Sequence, residues 1–397
     1  MPRRSRRALM LGVLLGAASI AVALLALSAF DHVLGIVSPE LALPPHERVH
    51  YRTAEFDYEV DTNSWGFRDR EFGARRGADH RVLALGDSFT YGWGVALADT
   101  WVKVLEQNLR GRGLSVEVAN LGVPGADPNK YAEIAARAVP ALEPDLVIVG
   151  VLQGDDLAQM SGYEGTECVP PRPSSLRALV QRAFPNLSER VRPSPLGEAV
   201  SAEWKREATQ EVDRATPLER QRFQGIAAPA QRAFLDGQLN PMILMTALRS
   251  PDFFMVTMQP GPRRQVLIDR MAACLQRIRS LAAANGARVV VLSVPHAPYA
   301  SRRGFESARA LGLQLDESVQ RSHEMDEAIR QAATAAGLPF VSATDRFRAA
   351  PPDPLLFYEF DTHLTPAGHR LFADSITPAI GDAVRASAPL TQHASHP

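Results

Sequence analysis

The sequence predicts a three-layer α/β/α fold with a central sheet of about five parallel strands. Two observations predict it: short apolar runs alternate with stretches of helical periodicity, and proline and glycine separate most of these runs. With 397 residues, 46% hydrophobic and 22% charged, the chain is long enough for one large α/β domain and additional segments. Because such sheets bind ligands at the carboxyl ends of their strands, the residues that follow each strand are the candidates for a functional site.

The first predicted element is a transmembrane helix. Arg3, Arg4, Arg6 and Arg7 precede an uncharged run over residues 8–30. At 1.5 Å per residue this run forms roughly 34 Å of helix, enough for a hydrocarbon core of about 30 Å. The arginines predict a single-pass inner-membrane protein with a cytoplasmic N-terminus and an exported, periplasmic remainder. A cleaved secretory signal, which would leave a secreted protein, stays open as the alternative.

Residues 31–78 are predicted to form a tether that contains Pro39, Pro44 and Pro45, followed by a hairpin or loop at 58–68. The parallel strands are predicted at residues 81–85, 114–119, 144–152, 287–294 and 338–342. The helices that alternate with them are predicted at residues 98–110, 128–139 and 317–335. The sequence shows no fixed-period repeat.

The alternation of strands and helices stops between residues 161 and 262, where proline, charge and short amphipathic segments such as 217–223 replace it. We therefore predict an α/β domain over 79–160 and 263–388, with 161–262 as a helical insertion. An insertion of this length is either a lid or binding surface, or a passive cover of the sheet edge. The sequence leaves both interpretations open.

Composition excludes several classes of function. The 43 Lys and Arg residues balance 44 Asp and Glu residues, so there is no basic field to bind nucleic acid. The two cysteines, Cys168 and Cys274, are far apart and do not form the Cys-x-x-Cys spacing of a zinc or redox site, although one disulfide remains possible. We expect neither a metal ion nor a cofactor.

The candidate chemistry begins directly after the first predicted strand, with Gly86, Asp87 and Ser88. A serine hydroxyl is a weak nucleophile that needs a positioned base to remove its proton. His363 is a suitable base, and Asp361, two residues before it, can orient the imidazole and stabilise its cation. The chain order Ser, Asp, His is acceptable because such triads are defined by geometry.

The motifs resemble those of the SGNH (GDSL-type) hydrolases. Gly86–Ser88 is similar to block I of that superfamily, Asn120–Gly125 to block II and Asp361–His363 to block V, and the resemblance extends over residues 80–385 apart from the insertion. It implies that Ser88 is the nucleophile and that Asp361 and His363 complete a catalytic triad. It also implies an oxyanion hole with the backbone N–H groups of Ser88 and Gly125, with Gly122 as the second choice.

Two motifs depart from the family pattern. Block V usually reads Asp-x-x-His, whereas the shorter Asp-x-His found here resembles exported relatives and proteins of polysaccharide O-acetylation. Block III usually reads Gly-x-Asn-Asp, whereas this chain has Gln153-Gly154-Asp155-Asp156. Aligning Asp155 with the family aspartate assigns the third oxyanion donor to the Gly154 N–H, with the Gln153 side-chain amide as the alternative.

Other polar residues near these motifs have structural interpretations. Thr365-Pro366 predicts the start of a helix that carries His369, so His369 is expected to pack rather than react. His296 follows the fourth strand and is expected to be structural, and Asp87 is expected to cap the turn at Ser88.

The predicted function is that of a serine esterase or O-acyltransferase that forms an acyl-serine intermediate. The expected substrates are small acyl esters, especially those of envelope carbohydrate, with water or a sugar hydroxyl as the acyl acceptor. The alternative is a catalytically weak SGNH domain that serves as a carbohydrate-binding or scaffold protein in an envelope complex. The missing block III asparagine favours this alternative, whereas the presence of Ser88, Asp361 and His363 favours an enzyme.

Overall fold

The structure is a computed structural model. It describes residues 3–37, 42–73, 79–163, 165, 167, 168, 183, 184, 200–255 and 257–387. The N-terminal helix α1 spans Arg3–Val37, and within it Val13–Asp31 is long and apolar enough to cross a membrane. Signal sequences pass the same test of length and composition. Because α1 continues beyond Asp31, the tether begins later than predicted, and Pro39 lies outside the described residues.

A small antiparallel hairpin precedes the main sheet. Its strands are β1 (Arg48–Arg52) and β2 (Asp57–Asp61), which pair with Tyr51 opposite Tyr58. Alternate side chains of both strands are buried, as expected when one face of a hairpin packs on a core. The hairpin starts about ten residues before the predicted segment 58–68. Strand β1 alternates polar and apolar residues as a half-buried strand does, but with only Val49 and Tyr51 as its apolar residues the pattern is short.

The main sheet has five parallel strands in the order β4-β3-β5-β6-β7, which confirms the predicted fold class. The strands are β3 (His80–Gly86), β4 (Val116–Gly122), β5 (Leu146–Leu152), β6 (Arg288–Val294) and β7 (Phe340–Ser342). All of β3 after His80 and all of β5 are buried. Continuous apolar strands of this kind are typical of a sheet covered on both faces.

Helices cover both faces of the sheet. In chain order the helices of the α/β domain are α2 (Ser88–Tyr91), α3 (Trp101–Gly111), α4 (Pro128–Leu142), α5 (Asp155–Gln159), α10 (Pro262–Ala284), α11 (Ala297–Ala300), α12 (Arg302–Ala310), α13 (Glu324–Ala335), α14 (Thr344–Arg348) and α15 (Pro366–Ala386). One hydrophobic core includes side chains of α3 and α15, and the other includes side chains of α4, α10 and α13.

The described part of the insertion is helical. Its helices are α6 (Val200–Arg214), α7 (Pro217–Gly225), α8 (Ala228–Leu235) and α9 (Pro241–Arg249). They share a third core with residues after β6, including Tyr299 and Phe305. A disulfide joins Cys168 to Cys274 of α10, with 4.8 Å between their Cα atoms. Most of residues 164–199, where the insertion was predicted to begin, lie outside the described residues.

The sheet order brings the sequence motifs to one edge. Strands β3, β4 and β5 are neighbours and run in the same direction, so the residues that follow Gly86, Gly122 and Leu152 emerge side by side.

Candidate active site

Ser88 is the first residue of α2 and lies at the turn that follows β3. The Asp87 side chain caps this helix, as predicted, by accepting a hydrogen bond of 2.9 Å from the Phe89 N–H. The end of β4 presses closely against the turn: a Cβ atom on Gly122 would lie 2.1 Å from the backbone nitrogen of Tyr91. The end of β4 therefore packs directly against the backbone of the turn that carries Ser88.

Asp361 and His363 approach Ser88 from a loop near the C-terminus. The Nε2 atom of His363 lies 2.8 Å from the Ser88 Oγ, and its Nδ1 atom lies 2.6 Å from the Asp361 Oδ1. The Asp361 side chain is 2% exposed, whereas Ser88 and His363 each retain partial exposure. The arrangement has the geometry of a nucleophile, a base and an orienting carboxylate that opens towards solvent.

Burial and several nearby charges act on the imidazole of His363. Burial alone lowers its pKa, but the charge and hydrogen bond of Asp361, together with the charges of Asp87 and Asp155, raise it above the ordinary value. The Phe89 ring packs against the imidazole at 4.7 Å between centroids, and the Trp93 ring lies 5.9 Å away. These rings restrict the orientation of the base.

Three carboxyl groups converge beneath the site. One oxygen of each of Asp87, Asp155 and Asp156 lies within 4.8 Å of the others. Burial and the charge of Asp155 raise the pKa of Asp87 to about 7, and burial raises the pKa of Asp155 to about 6. By geometry the cluster could hold a cation. However, each carboxyl group already accepts a hydrogen bond from a protein donor, and the raised pKa values favour protonated carboxyl groups over a bound cation.

Asp155 and Asp156 occupy different environments despite being adjacent. Asp156 is fully buried and accepts hydrogen bonds from the Tyr131 hydroxyl and the Leu152 N–H. Asp155 is the one residue between 144 and 158 that is not buried, and its Oδ2 accepts a hydrogen bond from the Gln159 side chain at 2.7 Å. The Asp155 carboxyl group therefore faces the cleft that contains His363.

Three backbone N–H groups around the cleft are available to a substrate oxygen. Those of Ser88, Gly125 and Gly154 donate no hydrogen bond to any of the described residues. Gly125 and Gly154 both have positive φ, at 71° and 79°. By contrast, the Gly122 N–H, our second choice from sequence, already donates to the Asn120 Oδ1 at 3.0 Å. Gly122 therefore does not fit the role of an oxyanion donor.

The Gln153 side chain does not fit the alternative that the sequence left open. It is buried, and its amide nitrogen donates to Asp326 Oδ1 at 2.9 Å and to Thr344 Oγ1 at 2.6 Å. Its amide oxygen accepts a hydrogen bond from the His296 N–H at 3.2 Å. The amide points away from Ser88, as expected when neighbouring residues at a strand end face opposite sides of the sheet.

The two other histidines that the sequence singled out, His369 and His296, are buried. The Nδ1 atom of His369, on α15, accepts a hydrogen bond of 3.1 Å from the Trp101 N–H, and burial lowers the pKa of His369 to about 3. Thr365 caps the start of that helix as predicted. Burial also lowers the pKa of His296 to about 3, and its ring packs between Phe89 and Phe254. Both rings are integrated into the packing around the site.

Sequence reasoning missed two groups that contact the site. The Glu55 carboxylate, in the hairpin turn, accepts hydrogen bonds from the backbone N–H groups of residues 359–361. Trp204 of the insertion stacks on Trp93 with a centroid distance of 6.1 Å and an interplanar angle of 24°. Neither belongs to a motif, and each acts across a long stretch of sequence, so no local pattern points to it.

A protein-family model matches the part of the chain that contains Ser88. Residues 84–216 match the model of the GDSL-like lipase/acylhydrolase family. The match covers less than half of the chain. It includes Ser88 and the strands β4 and β5, and it ends inside the insertion. This likeness supports ester hydrolysis as the general type of reaction.

Solved structures similar to this chain include TesA, at 12% identity over 77% of this chain and 99% of that chain, with a TM-score of 0.37. The acetyl xylan esterase AlAXEase matches at 12% identity over 76% of this chain and 99% of its own, with a TM-score of 0.36. The psychrotrophic esterase EstA from Pseudoalteromonas sp. matches at 12% identity over 77% of this chain and 100% of its own, with a TM-score of 0.37. No curated protein matches the chain.

Proposed function

We propose that this GDSL-like protein is a serine esterase or O-acyltransferase in which Ser88 is the nucleophile, His363 the general base and Asp361 the orienting carboxylate. One observation carries the proposal: a continuous hydrogen-bonded line runs from the Asp361 carboxylate through the His363 ring to the Ser88 hydroxyl, with links of 2.6 and 2.8 Å. Both distances are within the range in which a base removes the proton of a nucleophile.

In the acylation step the Ser88 Oγ attacks the ester carbonyl carbon while its proton moves to the His363 Nε2. The carbonyl oxygen becomes an oxyanion, for which the backbone N–H groups of Ser88, Gly125 and Gly154 are the proposed donors. When the tetrahedral intermediate collapses, the bond from carbon to the leaving oxygen breaks and His363 returns the proton to that oxygen. Asp361 stabilises the imidazolium that exists between these two proton transfers.

In the deacylation step a water molecule or a sugar hydroxyl attacks the acyl-serine. His363 accepts its proton, the acyl carbon is transferred to the new oxygen, and the proton returns to the Ser88 Oγ. Water as acceptor gives hydrolysis, and a sugar hydroxyl gives acyl transfer. Since both reactions use the same groups, exclusion of water decides between them.

We further propose that the substrates are small acyl esters of envelope carbohydrate, handled on the exported side of a membrane. Three features support the exported location: the apolar segment Val13–Asp31, the arginine cluster before it, and the disulfide between Cys168 and Cys274. Disulfides of this kind persist mainly in oxidising compartments outside the cytoplasm.

One observation favours the second candidate, a catalytically weak carbohydrate-binding or scaffold protein. Among the described residues at the end of β5, no side-chain amide points towards Ser88. The Gln153 amide donates to Asp326 and Thr344, and the nearby side chain that faces the cleft is the carboxyl group of Asp155. A carboxylate stabilises an oxyanion poorly, so a low turnover rate is expected under this candidate.

Labelling of the detergent-solubilised full chain by a fluorophosphonate tests the proposed function. We expect the label on wild type and on the control His369→Ala, and its loss in Ser88→Ala and His363→Ala. Because triad members act as a unit, the double variant Ser88→Ala/His363→Ala should hydrolyse esters no more slowly than either single variant. Labelling of Ser88→Ala to the wild-type level would contradict the assignment.

A further inference from the structure

The catalytic loop contains a backbone conformation that its residue type disfavours. Thr362, between Asp361 and His363, has φ of 68°. This left-handed region is unfavourable for L-residues with a Cβ atom and especially for β-branched ones such as threonine. Such conformations persist only where the surrounding structure holds them, and they concentrate at functional sites.

The loop is closed at its base by backbone contacts. Phe357 and Leu364 form an isolated antiparallel bridge, and the Tyr358 N–H donates to the carbonyl oxygen of His363 at 2.9 Å. These contacts fix the two ends of the loop. They leave the N–H groups of residues 359, 360 and 361, at the tip, without backbone acceptors among the described residues.

One carboxylate binds all three of these N–H groups. Glu55 Oε1 accepts from the Glu359 N–H at 2.6 Å and from the Phe360 N–H at 3.1 Å, and its Oε2 accepts from the Asp361 N–H at 2.8 Å. Glu55 lies in the turn between β1 and β2, more than 300 residues earlier in the chain. The hairpin thereby binds the loop backbone immediately before Thr362, the residue in the left-handed conformation.

We propose that Glu55 is a positioning residue that holds the loop around Thr362 in its left-handed turn and so keeps the His363 ring between Asp361 and Ser88. This inference rests on the proposed function of the triad. Glu55 contacts neither Ser88 nor the imidazole. Its effect is transmitted through the loop backbone, where a displacement of about 1 Å can cost about 100-fold in rate.

Apolar packing supports the same loop but does not replace the carboxylate. Phe56 and Tyr358 pack edge to face at 5.4 Å between centroids, and the Tyr358 hydroxyl donates to the Gly94 carbonyl oxygen at 2.7 Å. These contacts hold the side of the loop at Tyr358. In the part of the chain that the structure describes, the N–H groups of residues 359–361 donate only to Glu55, so its replacement should loosen the loop without removing the hairpin from the domain.

The test compares Glu55→Gln with the matched control Glu359→Gln, whose carboxylate lies on the same loop but pairs with exposed Arg303. Glutamine keeps the size of Glu55 but offers one acceptor oxygen instead of two. With the solubilised full chain and an aryl acetate substrate, we expect Glu55→Gln to lower kcat at least tenfold with KM within twofold of wild type. The control should stay within twofold in both constants.

A second variant tests the link to Thr362. Asparagine tolerates the left-handed region better than threonine, so Thr362→Asn should reduce the need for restraint. We expect Thr362→Asn to recover most of the kcat lost in Glu55→Gln. A double variant no more active than Glu55→Gln would overturn the proposal, as would a Glu55→Gln enzyme with unchanged kcat.

One readout separates this proposal from the proposed function. The proton between His363 Nδ1 and Asp361 gives a downfield NMR resonance whether or not the chain hydrolyses esters. We expect this resonance in wild type and Glu359→Gln and its loss in Glu55→Gln. Retention of the resonance in Glu55→Gln would overturn the positioning role. If wild type shows the resonance but neither hydrolyses esters nor reacts with a fluorophosphonate, the proposed function fails while Glu55 still positions the loop.

Discussion

At the scale of single residues, the charges around His363 determine when it can act as a base. The imidazole must be neutral to accept the Ser88 proton, and the charges of Asp361, Asp87 and Asp155 raise its pKa. Of these, Asp155 is only partly exposed and accepts its hydrogen bond from Gln159 rather than from the triad, so its charge can be removed without breaking a contact of the triad.

Asp155→Asn should therefore shift the pH profile of the enzyme. Loss of the negative charge lowers the pKa of His363, so the acid limb of kcat/KM should move to lower pH. The two profiles should converge below pH about 6, because the pKa of Asp155 is raised to about 6 and wild-type Asp155 is itself neutral there. Measurement of kcat/KM against pH for both proteins checks this. An acid limb that stays in place would show that Asp155 does not act on His363.

Gln153→Ala should affect stability more than chemistry. The substitution removes the partners of Asp326, Thr344 and the His296 N–H in a buried region. Unsatisfied buried groups cost about 1–3 kcal/mol, so the melting temperature should fall by several degrees while kcat stays within threefold of wild type. Thermal unfolding and ester turnover measure the two effects. A loss of turnover at an unchanged melting temperature would contradict this expectation and support the Gln153 amide as an oxyanion donor.

The apolar run before Ser88 placed that residue at the end of a parallel strand, whereas its pairing with Asp361 and His363 rested on the resemblance of the motifs to those of the SGNH hydrolases. The sequence could not reveal Glu55, whose partners lie 304–306 residues away and are backbone groups without a sequence signature. The direction of the Gln153 amide was also beyond prediction, because it depends on acceptors from α13 and α14.

At the scale of elements, two segments outside the sheet support the site from one side. The β1–β2 hairpin contributes Tyr51, Phe56 and Tyr58 to an aromatic cluster with Trp93. Helix α6 of the insertion adds Trp204, which is 8% exposed and stacked on Trp93. Because Trp93 also packs beside the His363 ring, the insertion is connected to the proposed base through a chain of ring contacts. This contact favours a lid or binding surface over a passive cover.

Trp204→Ala should change the choice of acyl acceptor. Loss of the indole opens a cavity behind Trp93 and admits water near His363, so the ratio of hydrolysis to transfer should rise severalfold. Trp204→Phe is the matched control, since it keeps an aromatic ring in the stack, and it should partition nearly as wild type does. Product analysis with a small acyl ester and a sugar acceptor gives the ratio. An unchanged ratio of hydrolysis to transfer in Trp204→Ala would indicate that the insertion is a structural cover.

At the scale of the whole molecule, the sequence predicted the five parallel strands within a few residues because continuous apolar runs mark buried strands. The boundaries outside the sheet were harder to predict. Helix α1 continues through the charged Asp31 to Val37, and β1 has only two apolar residues, so the hydrophobic signal misplaced the start of both the tether and the hairpin.

The apolar segment Val13–Asp31 predicts where the protein resides. The full-length chain should fractionate with membranes, and protease added from the exported side should digest the part of the chain after residue 31. Immunodetection of both termini after fractionation measures this. A mature soluble form that begins near residue 30 would instead identify the segment as a cleaved signal.

The central claim, an acyl-serine intermediate on Ser88, is tested most directly by mass spectrometry of the chain quenched during turnover of an acetyl ester. We predict an acetyl group on the peptide that contains Ser88. His363→Ala should form little of this adduct, because the nucleophile is no longer deprotonated, and Ser88→Ala should form none. Turnover at the full wild-type rate with Ser88 unmodified, or with the acetyl group on another residue, would contradict the account.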